Sequence, residues 1–278
     1  MTRLRAQLDH VVLLLPYQDI LQPPSWLTEH FVISEGSRHG DGKTENRLVL
    51  FEDGTYLELI AFIDDDPKHR EGHWWDKPYG VVDYAWTTSD ANFGELSGVI
   101  DRLSKTDTGI SYNRPQDGGR IQPDGQELKW RVTFPTGTSR GSVPFFCHDV
   151  TPRNRRVPVP ERSHPSGVVG MSGVLVEVAS ESCLARLSNA TAALLDEKAP
   201  RNETWYEVDV VHPVAHAKRP TIRIQKGGDG SSHDAHNDLA LSLVFQGPRA
   251  IDAVHRKIDG GIVSLVFEQQ QDAGTRSA

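Results

Sequence analysis

One arrangement recurs along this chain and narrows its folding options more than any single motif: a strongly apolar strand, a helix, then several further strands, then the same again. The first copy opens on Leu8-Asp9-His10-Val11-Val12-Leu13-Leu14-Leu15-Pro16, in which seven of nine residues are apolar or proline. Pro23 and Pro24 set the start of a short helix over Ser25–Phe31, with Ser25 in the position of an N-cap. A short strand over 31–34 and a glycine turn over 36–42 follow. Asn46–Phe51 and Thr55–Phe62 read as strands joined by a tight hairpin turn at Asp53-Gly54. The unit is β-α-β-β-β.

The second copy starts at Val81–Thr88. Asp90 can cap the helix that follows, which sets Phe93, Leu96, Val99, Ile100 and Leu103 on one face at a 3.6-residue period. Strands at 126–134 and 143–148 complete that unit. A third start lies at Met171–Val178, with a helix carrying Leu184, Leu187, Leu194 and Leu195, then strands around Trp205, Ile222–Ile224 and Leu239–Phe245. A last helix near Ile251, Val254 and Ile258 and a last strand at Ile262–Phe267 are left over. The expected organisation is two units in residues 1–150, a connector over 151–168, and a third unit with an extra helix and strand over 169–270. The connector, Thr151-Pro152-Arg153-Asn154-Arg155-Arg156-Val157-Pro158-Val159-Pro160, reads as an extended surface crossover. Gly227–Asn237 reads as a mobile loop and the tail from Gln269 as frayed.

The 278 residues suffice for a sizeable core, and their net charge of −8 disfavours nucleic acid and anionic membrane surfaces as partners. No apolar run is long enough to span a bilayer. The first strand begins near Leu8, which leaves no room for a leader peptide. Cys147 and Cys183 are the two cysteines, too few for a disulfide framework or a thiolate metal cluster. A cytoplasmic protein is expected.

Against that background two side chains stand out. His10 and Glu58 are each the polar group of an otherwise apolar strand. A carboxylate loses much hydration on burial unless it is paired, protonated or bound to a metal. Either both point into one concave site, where they can share an ion, or each is satisfied by hydrogen bonds, including one between the two.

The repeated units, the Leu-Asp-His-Val-Val opening and the stretch Phe51-Glu52-Asp53-Gly54-Thr55-Tyr56-Leu57-Glu58-Leu59-Ile60 resemble the vicinal oxygen chelate superfamily. Within it the chain is most similar to the glyoxalase-like branch. Gln122-Pro123-Asp124-Gly125 with Trp130, Pro144-Phe145-Phe146 and His164-Pro165-Ser166-Gly167 add to the likeness, which covers roughly residues 8–178. The resemblance implies an α+β protein whose βαβββ modules pair into curved, cup-shaped mixed sheets. It also implies metal ligands on the first and last strands of paired units. By position these are His10 and Glu58. In the second unit Tyr84 stands where a first-strand ligand is expected, and His148 where a last-strand glutamate is expected. Alternation places Pro144, Phe146 and His148 on one strand face. A His10, Glu58, His148 set is two histidines and a carboxylate, suited to a divalent ion such as Fe, Mn, Zn or Ni.

The implied activity is a lyase, isomerase or dioxygenase step on a small carbonyl, enolisable or phenolic substrate. Tyr84 would donate to the substrate oxyanion, and Glu58 or His39 would act as base. The alternative is a metal-free enzyme or small-molecule binding protein using the same cup, with Glu58 and His10 as an acid/base pair. In the third unit Gly173 occupies the place of His10 and Ser264 is the nearest equivalent of Glu58, so that half reads as structural. A homodimer is one way for the odd unit to complete its cup.

Other residues admit a functional and a purely structural reading. His164 reads as a surface turn histidine, or as one that reaches the cavity mouth. Trp74, Trp75 and Trp86 read as core, or as a pocket wall. Arg120, Arg153, Arg155 and Arg156 read as solvated, or as a clamp on an anionic substrate. His233 and His236 have ligand-like spacing within the glycine-rich loop. No phosphate-cradling glycine loop, nucleophile elbow or HExxH is present.

Overall fold

The computed structural model describes residues 6–88, 94–121, 125–197, 204–227 and 239–270. Asp90, Phe93, His233 and His236 lie outside them, as do Gln122, Pro123 and Asp124. Fifteen strands are present among the described residues: β1 (Ala6–Leu14), β2 (Thr44–Leu50), β3 (Tyr56–Phe62), β4 (Gly80–Thr88), β5 (Ser111–Tyr112), β6 (Gln116–Ile121), β7 (Glu127–Thr133), β8 (Pro135–Thr136), β9 (Phe145–Asp149), β10 (Gly170–Val178), β11 (Trp205–Glu207), β12 (Thr221–Lys226), β13 (Leu239–Gly247), β14 (Val254–Ile258) and β15 (Gly261–Gln269). The helices are α1 (Tyr17–Leu21), α2 (Ser25–Thr28), α3 (Pro67–Arg70), α4 (Gly94–Ser104), α5 (Arg153–Arg156) and α6 (Glu181–Leu195). No helix of the described residues is long and apolar enough to cross a membrane.

Thirteen strands form one mixed sheet, while β5 and β8 pair separately. Its order shows two cups rather than a cup and a remnant. In the first, β2 pairs antiparallel with β3, β3 parallel with β1, and β1 antiparallel with β4. From there β4 runs parallel to β9, β9 antiparallel to β7, and β7 antiparallel to β6. The second half repeats the sequence of pairings. β11 is antiparallel to β12, β12 parallel to β10, and β10 antiparallel to β13. Then β13 is parallel to β15, and β15 antiparallel to β14. The two cups meet where Ile262 pairs with Gly80.

The helix expected near Ile251–Ile258 is therefore corrected: residues 254–258 form the outer strand of a hairpin with β15. A one-turn apolar period over so few residues cannot outweigh five ladder partners and the Asp259-Gly260 turn, in which Gly260 takes φ +76°. The last segment is thus half of a fourth, helix-less unit.

The sheet is buried on one face against α4 and α6. Leu96, Val99 and Leu103 of α4 and Leu187, Leu194 and Leu195 of α6 pack there with Leu8, Val11, Leu13, Val174 and Leu243. Helix α6 is capped by Ser180, whose hydroxyl accepts from the Cys183 amide, and ends on Asp196 in the left-handed region. Ser25 is the first residue of α2 rather than its cap; Pro24 precedes it, so no side chain closes that terminus. The segment over 31–34 makes a single bridge, Ser34 with Leu48, instead of a strand.

The arginine-rich connector is also corrected. It turns into α5, and Arg156 is buried. The i, i+3 spacing of Arg153 and Arg156 puts both guanidiniums on one side of that turn, where Asp9 and Asp149 hold them.

Candidate active site

Strand β1 carries a bulge between Leu8 and His10, so that Leu8 is opposite Trp86 while His10 is opposite Ala85. The extra residue is Asp9. The bulge turns His10 onto the concave face while Leu8 and Val11 stay in the helix-covered core. On β3 the alternation does the same for Tyr56 and Glu58, with Leu57 and Leu59 in the core.

His10, Tyr56 and Glu58 thus line one cavity of about 300 Å3, together with His39, Asn46, Arg120 and Arg156. Its apolar walls are Trp74, Trp75, Trp130, Phe134 and Phe145. Strand β6, for which no periodic signal exists in 116–121, contributes Gly118 and Gly119 to its lining.

Glu58 is the centre of the polar floor. Its Oε1 accepts from Asn46 Nδ2 at 2.7 Å and lies 3.4 Å from His39 Nε2; its Oε2 lies 3.8 Å from His10 Nε2. His39 Nδ1 meets the Thr44 hydroxyl at 2.7 Å. Burial by itself would raise the Glu58 carboxyl. The hydrogen bond and charge of His39, the His10 ring and the Asn46 amide outweigh it and lower the group to about 2. Glu58 is therefore a carboxylate throughout the neutral range.

His10 is fixed from behind. Its Nδ1 lies 2.7 Å from Asp9 Oδ2, its ring stacks on Tyr56 at 4.5 Å, and Phe145 meets it edge-on at 5.3 Å. Asp9 is completely buried. Burial pushes its carboxyl up, but the guanidiniums of Arg153 and Arg156 and the hydrogen bond from His10 overcome this and hold it well below the usual carboxylate range. Arg156 also donates to the Tyr56 hydroxyl at 2.7 Å. Burial, opposed in part by Arg156, keeps the Tyr56 phenol protonated.

The structure thus brings His10, Glu58 and His39 together. It does not bring Tyr84 or His148 to them. Tyr84 pairs with Val11 and sits in the helix-covered core, where burial raises its phenol. His148 Nε2 meets the Thr88 hydroxyl at 3.1 Å and its ring stacks at 6.0 Å on Phe146, another residue of that core. Phe146 and His148 do share a strand face, but the convex one; Phe145 and Cys147 line the cavity instead. The His148 assignment fails because alternation says which residues share a face and not which face is concave; the Tyr84 assignment fails because the bulge at Asp9 sets Ala85, not Tyr84, beside His10.

The remaining candidates divide similarly. His164 is buried away from the cavity, with Nδ1 accepting from the Val32 amide at 3.0 Å and Nε2 on the Leu50 carbonyl at 3.0 Å. Trp74 and Trp75 line the cavity, and Trp86 is core.

The His10, Glu58, His148 donor set that the resemblance implies is not assembled, because His148 does not line the cavity. By register the second-unit equivalents of His10 and Glu58 are Ala85 and Cys147, since Ala85 pairs with Phe145 as His10 pairs with Tyr56; burial pushes the Cys147 thiol up, toward its non-coordinating form. Oε1 of Glu58 is already occupied by Asn46. Among the described residues no group of three or more His, Cys, Asp or Glu side chains is placed to hold a metal. What the floor offers is proton chemistry: an imidazole held by one buried carboxylate, next to a second, with a phenol donor beside it.

In the second cup, register makes Gly173 the equivalent of His10. It pairs with Thr221 and Val244 as His10 pairs with Tyr56 and Ala85, next to the same bulge. Two residues beyond Thr221 comes Arg223, which takes the place of Glu58 in preference to Ser264, the nearest equivalent by sequence.

The sequence model of the glyoxalase-like domain matches residues 8–195. No curated protein matches. Among solved structures, a hypothetical protein from Staphylococcus aureus superposes with a TM-score of 0.63 at 13% identity, covering 95% of this chain and 100% of that one. It shares the fold. Methylmalonyl-CoA epimerase from Mycobacterium tuberculosis reaches 0.36 at 18% identity over 54% of this chain and 91% of its own. A 2,2',3-trihydroxybiphenyl 1,2-dioxygenase from Sphingomonas wittichii strain RW1 reaches 0.45 at 9% identity over 97% and 92%. These two likenesses are too loose to carry an argument. The domain match covers most of the chain, and the protein belongs to the glyoxalase-like domain family.

Proposed function

We propose that the chain is an enzyme that moves a proton at a carbon next to a carbonyl group of a small substrate, using side chains of the first cup. The observation that carries this reading is the chain of contacts from Arg153 and Arg156 through Asp9 and His10 to Glu58, ending at a cavity floor. An Asp9-bound Nδ1–H leaves the His10 Nε2 lone pair facing the cavity. As His10 takes a proton, the imidazolium forms between two carboxylates, which stabilises it. The Tyr56 hydroxyl accepts from Arg156 and keeps its own proton to donate to the developing enolate oxygen. His39, on the far side of Glu58, is placed to return a proton. Tyr56 thereby takes the role first expected of Tyr84.

The test is deuterium wash-in from D2O, followed by proton NMR, over a panel of small enolisable carbonyl compounds. The native protein should catalyse exchange with or without chelator, and His10→Ala and Glu58→Gln should each lose about 100-fold or more. Exchange that stops on chelation and returns with a divalent ion would overturn the metal-free part. Binding without exchange of any compound would make the chain a binding protein.

A further inference from the structure

The cavity holds two arginines with opposite surroundings. Arg156 is saturated by Asp9, Asp149 and Tyr56. Arg120, reaching in from β6, donates through Nη1 to the Ser37 hydroxyl at 3.1 Å, and its buried Nε has no hydrogen-bond partner. Among the described residues no carboxylate lies within ion-pair distance of it; Glu58 acts on it only at longer range. A guanidinium stays charged when buried, so an unmatched one on an apolar cavity is a standing cost that an anion would remove. Its planar fork matches a carboxylate through two parallel hydrogen bonds.

The other walls define the rest of the guest. Trp74, Trp75, Trp130 and Phe134 offer flat apolar faces, and at about 30 Å3 per water-sized group the cavity admits roughly ten to a dozen heavy atoms.

We propose that the substrate is a small aromatic carboxylic acid bearing an enolisable carbonyl, with its carboxylate on Arg120 and its ring between the tryptophans. This deepens the proton-transfer reading and rests on it for the placement of the carbonyl at His10. The arrangement separates charges: the anion binds at the cationic wall, while the C–H to be broken lies against the anionic floor.

Binding tests this separately from catalysis. Tryptophan fluorescence titrations would compare phenylpyruvate with its methyl ester, the same skeleton without the charge. The acid should bind the native protein roughly 10- to 100-fold more tightly than the ester. Arg120→Met should abolish that gap, Arg120→Lys should keep part of it, and Glu58→Gln should keep or widen it. Equal affinities in the native protein, a gap that persists in Arg120→Met, or no binding of the acid at its solubility limit would each overturn the proposal. A gap without deuterium exchange would sink the proton-transfer reading and leave Arg120 as an anion site. Exchange of neutral ketones without a gap would do the reverse.

Discussion

Asp9→Asn is the substitution on which the site argument turns. Asp9 accepts from His10 through Oδ2, and from Arg156 at 3.2 and 3.3 Å through its two oxygens, with Arg153 on Oδ1. Asparagine has one acceptor oxygen and one donor amide, so it cannot serve both sides. If the amide faces His10, the imidazole must present Nδ1 as acceptor. Its proton then sits on Nε2, pointing at Glu58, and the base is gone; a tautomer error of this kind costs about 10^4-fold in a serine-protease triad. Whichever way it faces, the neutral amide takes a counter-charge from the buried Arg156 and the half-buried Arg153. That costs about 3 kcal/mol, at the low end for breaking a buried pair, because Asp149 still holds both. The expected outcome is a folded protein destabilised by about 3 kcal/mol, with exchange reduced about 10^3- to 10^4-fold. Urea unfolding followed by tryptophan fluorescence and NMR exchange read the two quantities. Folded Asp9→Asn that exchanges within about threefold of the native rate would refute the orienting role and the choice of His10 as base.

Further expectations follow from the same geometry. Glu58 has its carboxyl lowered from 4.5 to about 2, so the stability it contributes is present above pH 4.5 and is lost as pH falls toward 2. Thermal melts of native protein and Glu58→Gln from pH 2 to 6 should therefore converge at the acid end, and parallel curves would contradict the assignment. The Tyr84 hydroxyl is buried with no hydrogen-bond partner among the described residues, so Tyr84→Phe should leave exchange unchanged and raise stability by up to about 1 kcal/mol. His148→Ala should cost about 1–3 kcal/mol by urea titration and should leave exchange and ligand binding intact; loss of both in folded protein would reinstate it as a site residue. At Gly118 a Cβ would stand 2.5 Å from Trp130 Nε1, so Gly118→Ala should push the indole into the cavity. Ligand affinity should fall at least about tenfold with little change in melting temperature, as calorimetry and thermal melts would show.

His10 and Glu58 were legible because an ionisable group in an apolar strand is costly and so demands a partner. Most strands of the first cup, though not β6, were legible from periodicity and the Asp53-Gly54 turn, where Gly54 takes φ +78°. The bulge at Asp9 was not, since it depends on the register of β4 and leaves no composition signal. Without it, aligning Leu8-Asp9-His10 with Val82-Asp83-Tyr84 points to Tyr84, whereas the residue across from His10 is Ala85. Arg153 and Arg156 were obscured by the prolines around them, which speak for an extended chain. Their helical spacing was the available clue. The β14 hairpin was hidden because Ile251, Val254 and Ile258 satisfy a helical period as well as an exposed edge strand.

The duplication has one further consequence, and it lies in Gly173. A Cβ built there would stand 2.1 Å from the carbonyl oxygen of Thr221, inside the sheet ladder itself. No side chain can be installed at that point without parting β10 from β12. The position equivalent to His10 in the second cup is thus closed to an imidazole by its backbone. Attempts to build a twin reaction centre into this half would have to move a strand before they could change a residue.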